Sequence, residues 1–421
     1  MFPPRYAAEL LESIVHDLPA KATFPLILPT VQSLVTSSAW QNQKAGLEVI
    51  RTLLSASPVS SNQIVESSVT TAVQAFSTGH VRVQYQALTL LGAICNRTSE
   101  VSASSVQTVH AQSIVQVVKQ ALTSECIKVS HAACGVIISF CRGSSNDNVI
   151  SPETVAPLLP QLLSGIAAGV LARMNRCEEE GVCVLAVAGI NALACVADAA
   201  GQAFEPHYAE FVPGLLACMT MNMNAATGNT VSRSMEENGA SSVRGAAMEA
   251  VTLVGAAVGG RECAVFVRDA EVVMGLVMGL LKTANRVYAV EREATKNNVK
   301  YSSPPLAISM EKVQRSAARI SGMMEEAFAQ FMPAILPHLL KQAKQKNEMA
   351  VTDGDEAGLA ATNSGEVERD LDMGTESLTM KISGVGIKKL TINTSVVQVS
   401  GRRGWRALHM ATARGRSPRV R

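Results

Sequence analysis

The sequence predicts an all-α fold, an α-α superhelix of antiparallel helix pairs, and three observations carry that expectation. Apolar helical stripes return along the chain at a regular interval. Hydrophobic residues make up 47% but aromatic residues only 4%. The apolar material is therefore mostly Ala, Val and Leu, which suits close helix packing better than a β-sandwich or barrel built on Tyr, Phe, Trp and Thr. Prolines also recur at similar places between the stripes, where they are tolerated in a first helical turn.

The stripes come first. Trp40 to Ser55 reads WQNQKAGLEVIRTLLS, Val81 to Cys95 reads VRVQYQALTLLGAIC, and Ile127 to Cys141 reads IKVSHAACGVIISFC. Ala45-Gly46-Leu47, Gln86-Ala87-Leu88 and Ala132-Ala133-Cys134 hold the same place in each. The starts lie about 41 and 46 residues apart, the period of HEAT or armadillo units. Weaker copies are Val182 to Gly201 and Val243 to Gly255. In the second copy Ala87, Leu88, Leu91 and Ile94 make one apolar stripe at helical spacing. The basic residue near each start (Arg82, Lys128, Arg244) is assigned to an inter-repeat polar ladder.

Second helices are expected over Asn62 to Phe76, Val106 to Leu122, Pro152 to Ala167 and His207 to Met219. Several second helices open on phrases such as VAPLLPQLL (Val155 onward), FVPGLLACM (Phe211 onward) and FMPAILPHLL (Phe331 onward), so proline is read as marking their starts. One helix pair cannot bury its own apolar stripe, but stacked pairs can. The solenoid is assigned to residues 1–350, with surface loops over Met221 to Ser241 and a polar linker over Arg286 to Pro305. Residues 351–380 are expected to form an acidic disordered loop carrying Asp353, Asp355, Glu356, Glu366, Glu368, Asp370, Asp372 and Glu376, with only Arg369 as counter-charge. Residues 381–398 alternate weakly and read as a partial next repeat or an extended segment. Residues 399–421 carry seven Arg and no acid. For that tail an RNA-binding or targeting role, a solvated end and translated non-native sequence compete, and the abrupt change of composition favours the last.

At 421 residues the chain is longer than one compact core, and 17% charged residues is too little for wholesale disorder. A net charge of +2 gives no reason to expect a nucleic-acid partner. The nine cysteines are odd in number, form no C-x-x-C pair and sit among Ala, Val and Ile, so they read as reduced, buried thiols of a cytosolic or nuclear protein. No secretory signal is recognised at the start. Gly181 to Ala200 is long enough to span a membrane, but Asn191, Asp198 and the adjacent Glu178 to Glu180 favour a buried solenoid helix and no membrane insertion.

No nucleotide, serine-hydrolase or zinc-protease motif occurs, so no catalytic residue, cofactor or metal is expected, and the chain is read as a non-enzyme. His131 and Cys134 are half a metal site without a second half. Gly255, Gly259 and Gly260 are assigned to a helix C-cap. A solenoid offers a long face made of its second helices, which can hold a partner segment. The polar candidates there are Gln63, Glu66, Gln107, Gln112 and Glu210; carboxylates and amides suit a Lys/Arg-rich peptide.

The phrases WQNQKAGLEVI, VRVQYQALTLLGAI, HAACGVIISF, VLAVAGINALACVADAAGQAFEPHYAEFVPGLL and AISMEKVQRSAARISGMMEEAFAQFMPAILPHLL follow one another as in the central repeats of importin-β (karyopherin-β) type nuclear transport receptors. The sequence most resembles the importin-5 (Ran-binding protein 5, Kap121) branch, over roughly residues 5 to 398. GIKKLTI (Gly386 onward) and the acidic stretch before it sit where that branch has similar features. The resemblance implies cargo binding through nuclear localisation signals on the concave side, FG nucleoporins on the convex side, and release by Ran-GTP. It implies shuttling between cytoplasm and nucleus through the pore. The family's N-terminal repeats, which carry most of the Ran contact, and its C-terminal arch have no counterpart in this sequence, so the chain reads as a central fragment. The alternative is a general HEAT scaffold subunit.

Overall fold

A computed structural model describes residues 10–11, 13–14, 20–56, 62–96, 103–142, 150–176, 181–220, 233–259, 264–296, 308–343, 349–353, 368–370, 375–382 and 386–393. The chain divides into two compact units: residues 1–273 with 305–319, and residues 274–304 with 320–421.

The first unit is built from helices α1 (Ala20–Val35), α2 (Trp40–Ala56), α3 (Asn62–Phe76), α4 (Val81–Asn96), α5 (Ala103–Val109), α6 (Ala111–Leu122), α7 (Ile127–Arg142), the single turn α8 (Pro152–Val155), α9 (Leu159–Gly169), α10 (Val182–Ala200), α11 (Tyr208–Thr220) and α12 (Arg233–Ala257). It also takes the first part of α13 (Ala264–Lys296) and most of α14 (Met310–Met324). Helices α2, α4, α7, α10 and α12 stack side by side in one row. Each packs also on the helix just before it: α1 on α2, α3 on α4, α6 on α7, α11 on α12. The tight turns thus run from a second-type helix into the next apolar helix, as at Ser77 to His80, where Gly79 has φ +83°. The expected all-α solenoid of helix pairs is what the described helices form.

The apolar row shows why the period matters. On α4, Val83, Ala87, Leu90, Leu91 and Ile94 are buried, and α2 and α7 cover them from two sides. Each fully buried Leu here is worth about 2 kcal/mol in transfer terms. The α10 helix, weighed above as a membrane span, is buried along most of its length between α7 and α12. Its Ala residues keep neighbouring axes close, and burial inside the stack accounts for its hydropathy.

Five boundaries differ from the sequence reading. Val106 to Leu122 is two helices, broken at His110, whose φ of −104° and ψ of 5° leave the helical region. Of the expected loop from Met221, residues 233–241 belong to α12, while 221–232 lie outside the described residues. The expected linker from Arg286 is helical to Lys296. Good helix formers such as Arg286, Ala289, Glu291 and Ala294 outweigh the polarity there. Gly255 is not a cap: it lies inside α12 against the Phe266 ring, while Gly259, at φ +103°, holds the end of the helix.

The fifth difference concerns proline. Pro152, Pro160 and Pro333 do stand in first turns, of α8, α9 and the helix α15 (Met332–Ala343), as expected. Three 3₁₀ turns also lead into second helices: Ala156–Leu158, with Pro157, before α9; Gly201–His207, with Pro206, before α11; and Glu325–Phe331, which holds no proline, before α15. Pro213 and Pro337 lie inside their helices. Two of these lead-ins repeat in detail. Gly201 (φ +56°) and Glu325 (φ +48°) open them in the left-handed region, and three residues on Phe204 and Phe328 are buried.

The second unit holds the rest of α13, the end of α14, α15 and four strands. Phe328 packs at 5.8 Å from Phe331 and is buried, as is Ile335. Strands β1 (Met349–Asp353), β2 (Glu368–Asp370), β3 (Thr375–Ile382) and β4 (Gly386–Asn393) form an antiparallel sheet in the order β1-β4-β3-β2. Asp353 is in register with Lys388, Glu376 with Arg369 and Ile392, and Ile382 with Gly386. The expected disordered acidic loop over 351–380 is therefore corrected at 351–353, 368–370 and 375–380, where backbone pairing to β4 and β3 sets the conformation. The Arg-rich tail lies outside the described residues.

Candidate binding faces

The second-type helices α3, α6, α9 and α11 carry the sequence-predicted contacts. Glu66 on α3 is exposed, and Gln63 lies on the same helix with its side chain outside the described residues. On α6, exposed Gln112 donates through Nε2 to Oε1 of Gln161 on α9 at 3.4 Å. This pair joins neighbouring second helices across an open polar rung. Glu210 on α11 is exposed and sits 3.8 Å from Nδ1 of His207.

Gln107 is a correction. It is only 5% exposed, and its Nε2 donates to the Phe140 carbonyl at 2.9 Å. That carbonyl belongs to the last turn of α7, where intrahelical donors run out. The amide closes the end of a helix and has no free face for a ligand. The acidic residues divide as well: Asp353, Glu368, Asp370 and Glu376 are placed on strands, and Asp355, Glu356, Glu366 and Asp372 lie outside the described residues.

Polar groups that the sequence did not single out hold the rows in register. Gln86 reaches Glu48 on the preceding apolar helix, and Glu48 also accepts from Arg51 Nε at 3.1 Å. The Arg51 hydrogen bond is the main cause that holds the Glu48 carboxyl below its ordinary value, against burial that raises it. Gln86 could have been found, since it lies three residues from Val83 and four from Leu90 on the apolar stripe. Arg173 had no such signal. Its guanidinium donates to the Ser124 carbonyl at 2.6 Å and to Ser130 Oγ at 3.2 Å. Ser130 Oγ in turn donates towards the Leu122 carbonyl at 3.0 Å. A cation and a hydroxyl thus meet the bare carbonyls at the end of α6. Of the ladder bases, Arg244 is buried, whereas Arg82 and Lys128 are exposed.

Thiol chemistry is suppressed where the row is tightest. Burial pushes Cys95 and Cys134 up to about 12 and Cys195 to about 11. No group of three or more His, Cys, Asp or Glu able to hold a metal occurs among the described residues.

Comparison with known proteins bears on this geometry. No family profile matches the chain. Over 353 residues it is 20% identical to importin subunit beta-3 of Saccharomyces cerevisiae, covering 84% of this chain and 28% of that protein. The resemblance is to the importin-β family. Among solved structures, Kap121p bound to Nup53p matches 97% of this chain and 32% of its own length, with a TM-score of 0.66 and 18% identity. Kap121p alone matches with a TM-score of 0.65 at 20% identity, over 97% of this chain and 33% of its own. Kap121p bound to Pho4p gives 0.64 at 19% identity, over 94% and 31%. These likenesses show the fold, an all-α superhelix of the importin-β type. The chain spans less than a third of the importin subunit's length and about a third of the solved chains.

Proposed function

We propose that this chain is a nuclear import receptor segment that binds basic nuclear localisation signals on its second-helix face. The observation that carries the reading is the exposed polar rung of Gln112 and Gln161, flanked in the helix order by the carboxylates of Glu66 and Glu210. Amides can hydrogen-bond the backbone of an extended peptide, and carboxylates can pair with its Lys or Arg side chains. No covalent step is involved. Cargo proteins with basic signals, FG nucleoporins and Ran-GTP are the partners this reading assigns, and cytoplasm, nucleus and pore are its locations. The likeness to the importin-β family supports it.

Fluorescence anisotropy with a labelled Lys-rich peptide tests the idea. Charge reversal in Glu66→Lys with Glu210→Lys should weaken binding about tenfold, and the affinity should fall as salt rises. Ran-GTP should compete if the chain retains the receptor's coupling. Equal affinity for an acidic peptide, or no effect of the double variant, would sink the reading. Tight binding that ignores Ran-GTP would favour a scaffold subunit.

A further inference from the structure

The apolar row of the first unit carries a groove of about 790 Å³. It lies where α4, α7 and α10 begin, and its wall includes Val81, Arg82, Tyr85, Lys128, His131 and Val184, with Lys44 of α2 at its end. Three observations agree on what it could hold. First, the wall is apolar yet open: Val81 is 44% exposed, Tyr85 43% and Val184 60%, so three of the exposed large apolar residues gather in one place. Exposed apolar groups in a concave site mark recognition surfaces more often than chance.

Second, the charge is of one sign. Lys44, Arg82 and Lys128 are exposed, and among the described residues the lining contains no Asp or Glu. None of the three makes an ion pair among the described residues. Glu48, one turn from Lys44, is already engaged by Arg51 and Gln86. Arg82 is held in place, its guanidinium 4.8 Å from the Trp40 ring centre, and Trp40 stacks on His80 at 4.6 Å. Third, the first turns of three parallel helices border the groove, and the Gly181 start of α10 has no side-chain cap. The Arg82 amide at the start of α4 donates to His80 Nδ1 at 3.3 Å, and the positive ends of the helix dipoles add to the potential of the side chains.

We infer that this groove docks an acidic partner segment, a stretch of Asp or Glu interleaved with apolar side chains. The carboxylates would meet Lys44, Arg82 and Lys128, and the apolar side chains would cover Val81, Tyr85 and Val184. The site is opposite in charge preference to the second-helix face and independent of any basic-signal binding there.

The test uses the full chain and two labelled peptides, one alternating Glu with Leu and one with Gln in place of every Glu. The acidic peptide should bind at least tenfold tighter than the Gln peptide, and its affinity should fall steeply with salt. Arg82→Glu with Lys128→Glu should lose roughly tenfold or more, Lys128→Ala less, and Val184→Ser should weaken both peptides. Binding of a Lys-rich peptide should not change in these variants, which separates the two sites. Equal binding of the Gln peptide would overturn the inference, since the groove would then select apolar side chains alone. So would unchanged acidic-peptide affinity in the double variant with an unaltered circular dichroism melt. Concentration-dependent self-association abolished by the same variants would also overturn it, by making a second copy the occupant.

Discussion

Replacing Gly255 by Ala sets two known effects against each other. Gly255 lies in the last turns of α12 and faces Phe266 of α13, which is 1% exposed. A methyl carbon built there would come within 3.0 Å of three ring atoms, closer than real methyl carbons approach. Helix propensity favours Ala over Gly by about 1 kcal/mol. Overpacking a filled site costs about 1–3 kcal/mol, and a ring with no free surface can yield only by moving the backbone of α13. The steric effect should win, leaving the variant about 1–2 kcal/mol less stable. Gly135→Ala is the matched control. It sits mid-helix in α7, exposed, with nothing within 4 Å of an added methyl, and should gain about 0.5–1 kcal/mol. Urea unfolding followed by circular dichroism measures both. Phe266→Leu combined with Gly255→Ala should be less damaging than the sum of the singles by at least about 0.5 kcal/mol. Two glycine variants of equal stability, or strict additivity with Phe266→Leu, would refute the packing argument.

Four further outcomes are expected. Glu325→Gly should stabilise by about 1 kcal/mol, because Glu325 holds φ +48° where the matching lead-in has Gly201; a loss in thermal unfolding would contradict this. Glu48→Gln should flatten the acid limb of the stability curve. The folded carboxyl lies below its unfolded value, so its contribution is present above about pH 4.5 and is lost as pH falls through the folded value; an unaltered slope would count against it. Arg173→Ala should cost about 1–2 kcal/mol by baring the α6 carbonyls, and Arg173→Lys should recover less than half, as equilibrium unfolding would reveal. In thiol labelling of the native protein, half-buried Cys126 and Cys183 should react first, while Cys95, Cys134, Cys141 and Cys195 should react only on unfolding; mass spectrometry of the labelled peptides decides.

The apolar row was legible because its code is local. Small and aliphatic residues recur at helical spacing in α2, α4 and α7, and nothing nearby competes with that pattern. The helical end of α13 and the start of α12 were missed because charged and polar residues interrupt any apolar stripe there, which masks the propensity of Arg, Glu and Ala. The sheet was missed for a different reason. Its β1 pairs with β4 across more than thirty residues, and a local window over Met349 to Asp353 carries no sign of that partner. Among the candidate contacts, Glu66, Gln112 and Glu210 fell on open surface as polar side chains ordinarily do. Gln107 did not, because the break at His110 turns the short α5 helix away from the phase of α6. A helix break of this kind leaves only a weak trace in composition.

Each helix of the apolar row touches chiefly the one before it and the one after it. During synthesis this gives the first unit a direction. A stretch of about 41 to 46 residues leaves the ribosome in roughly two to nine seconds, while a helix pair forms in microseconds. Every new pair can therefore seat on a surface that is already finished, and no part of the row through α12 must wait for distant sequence to arrive.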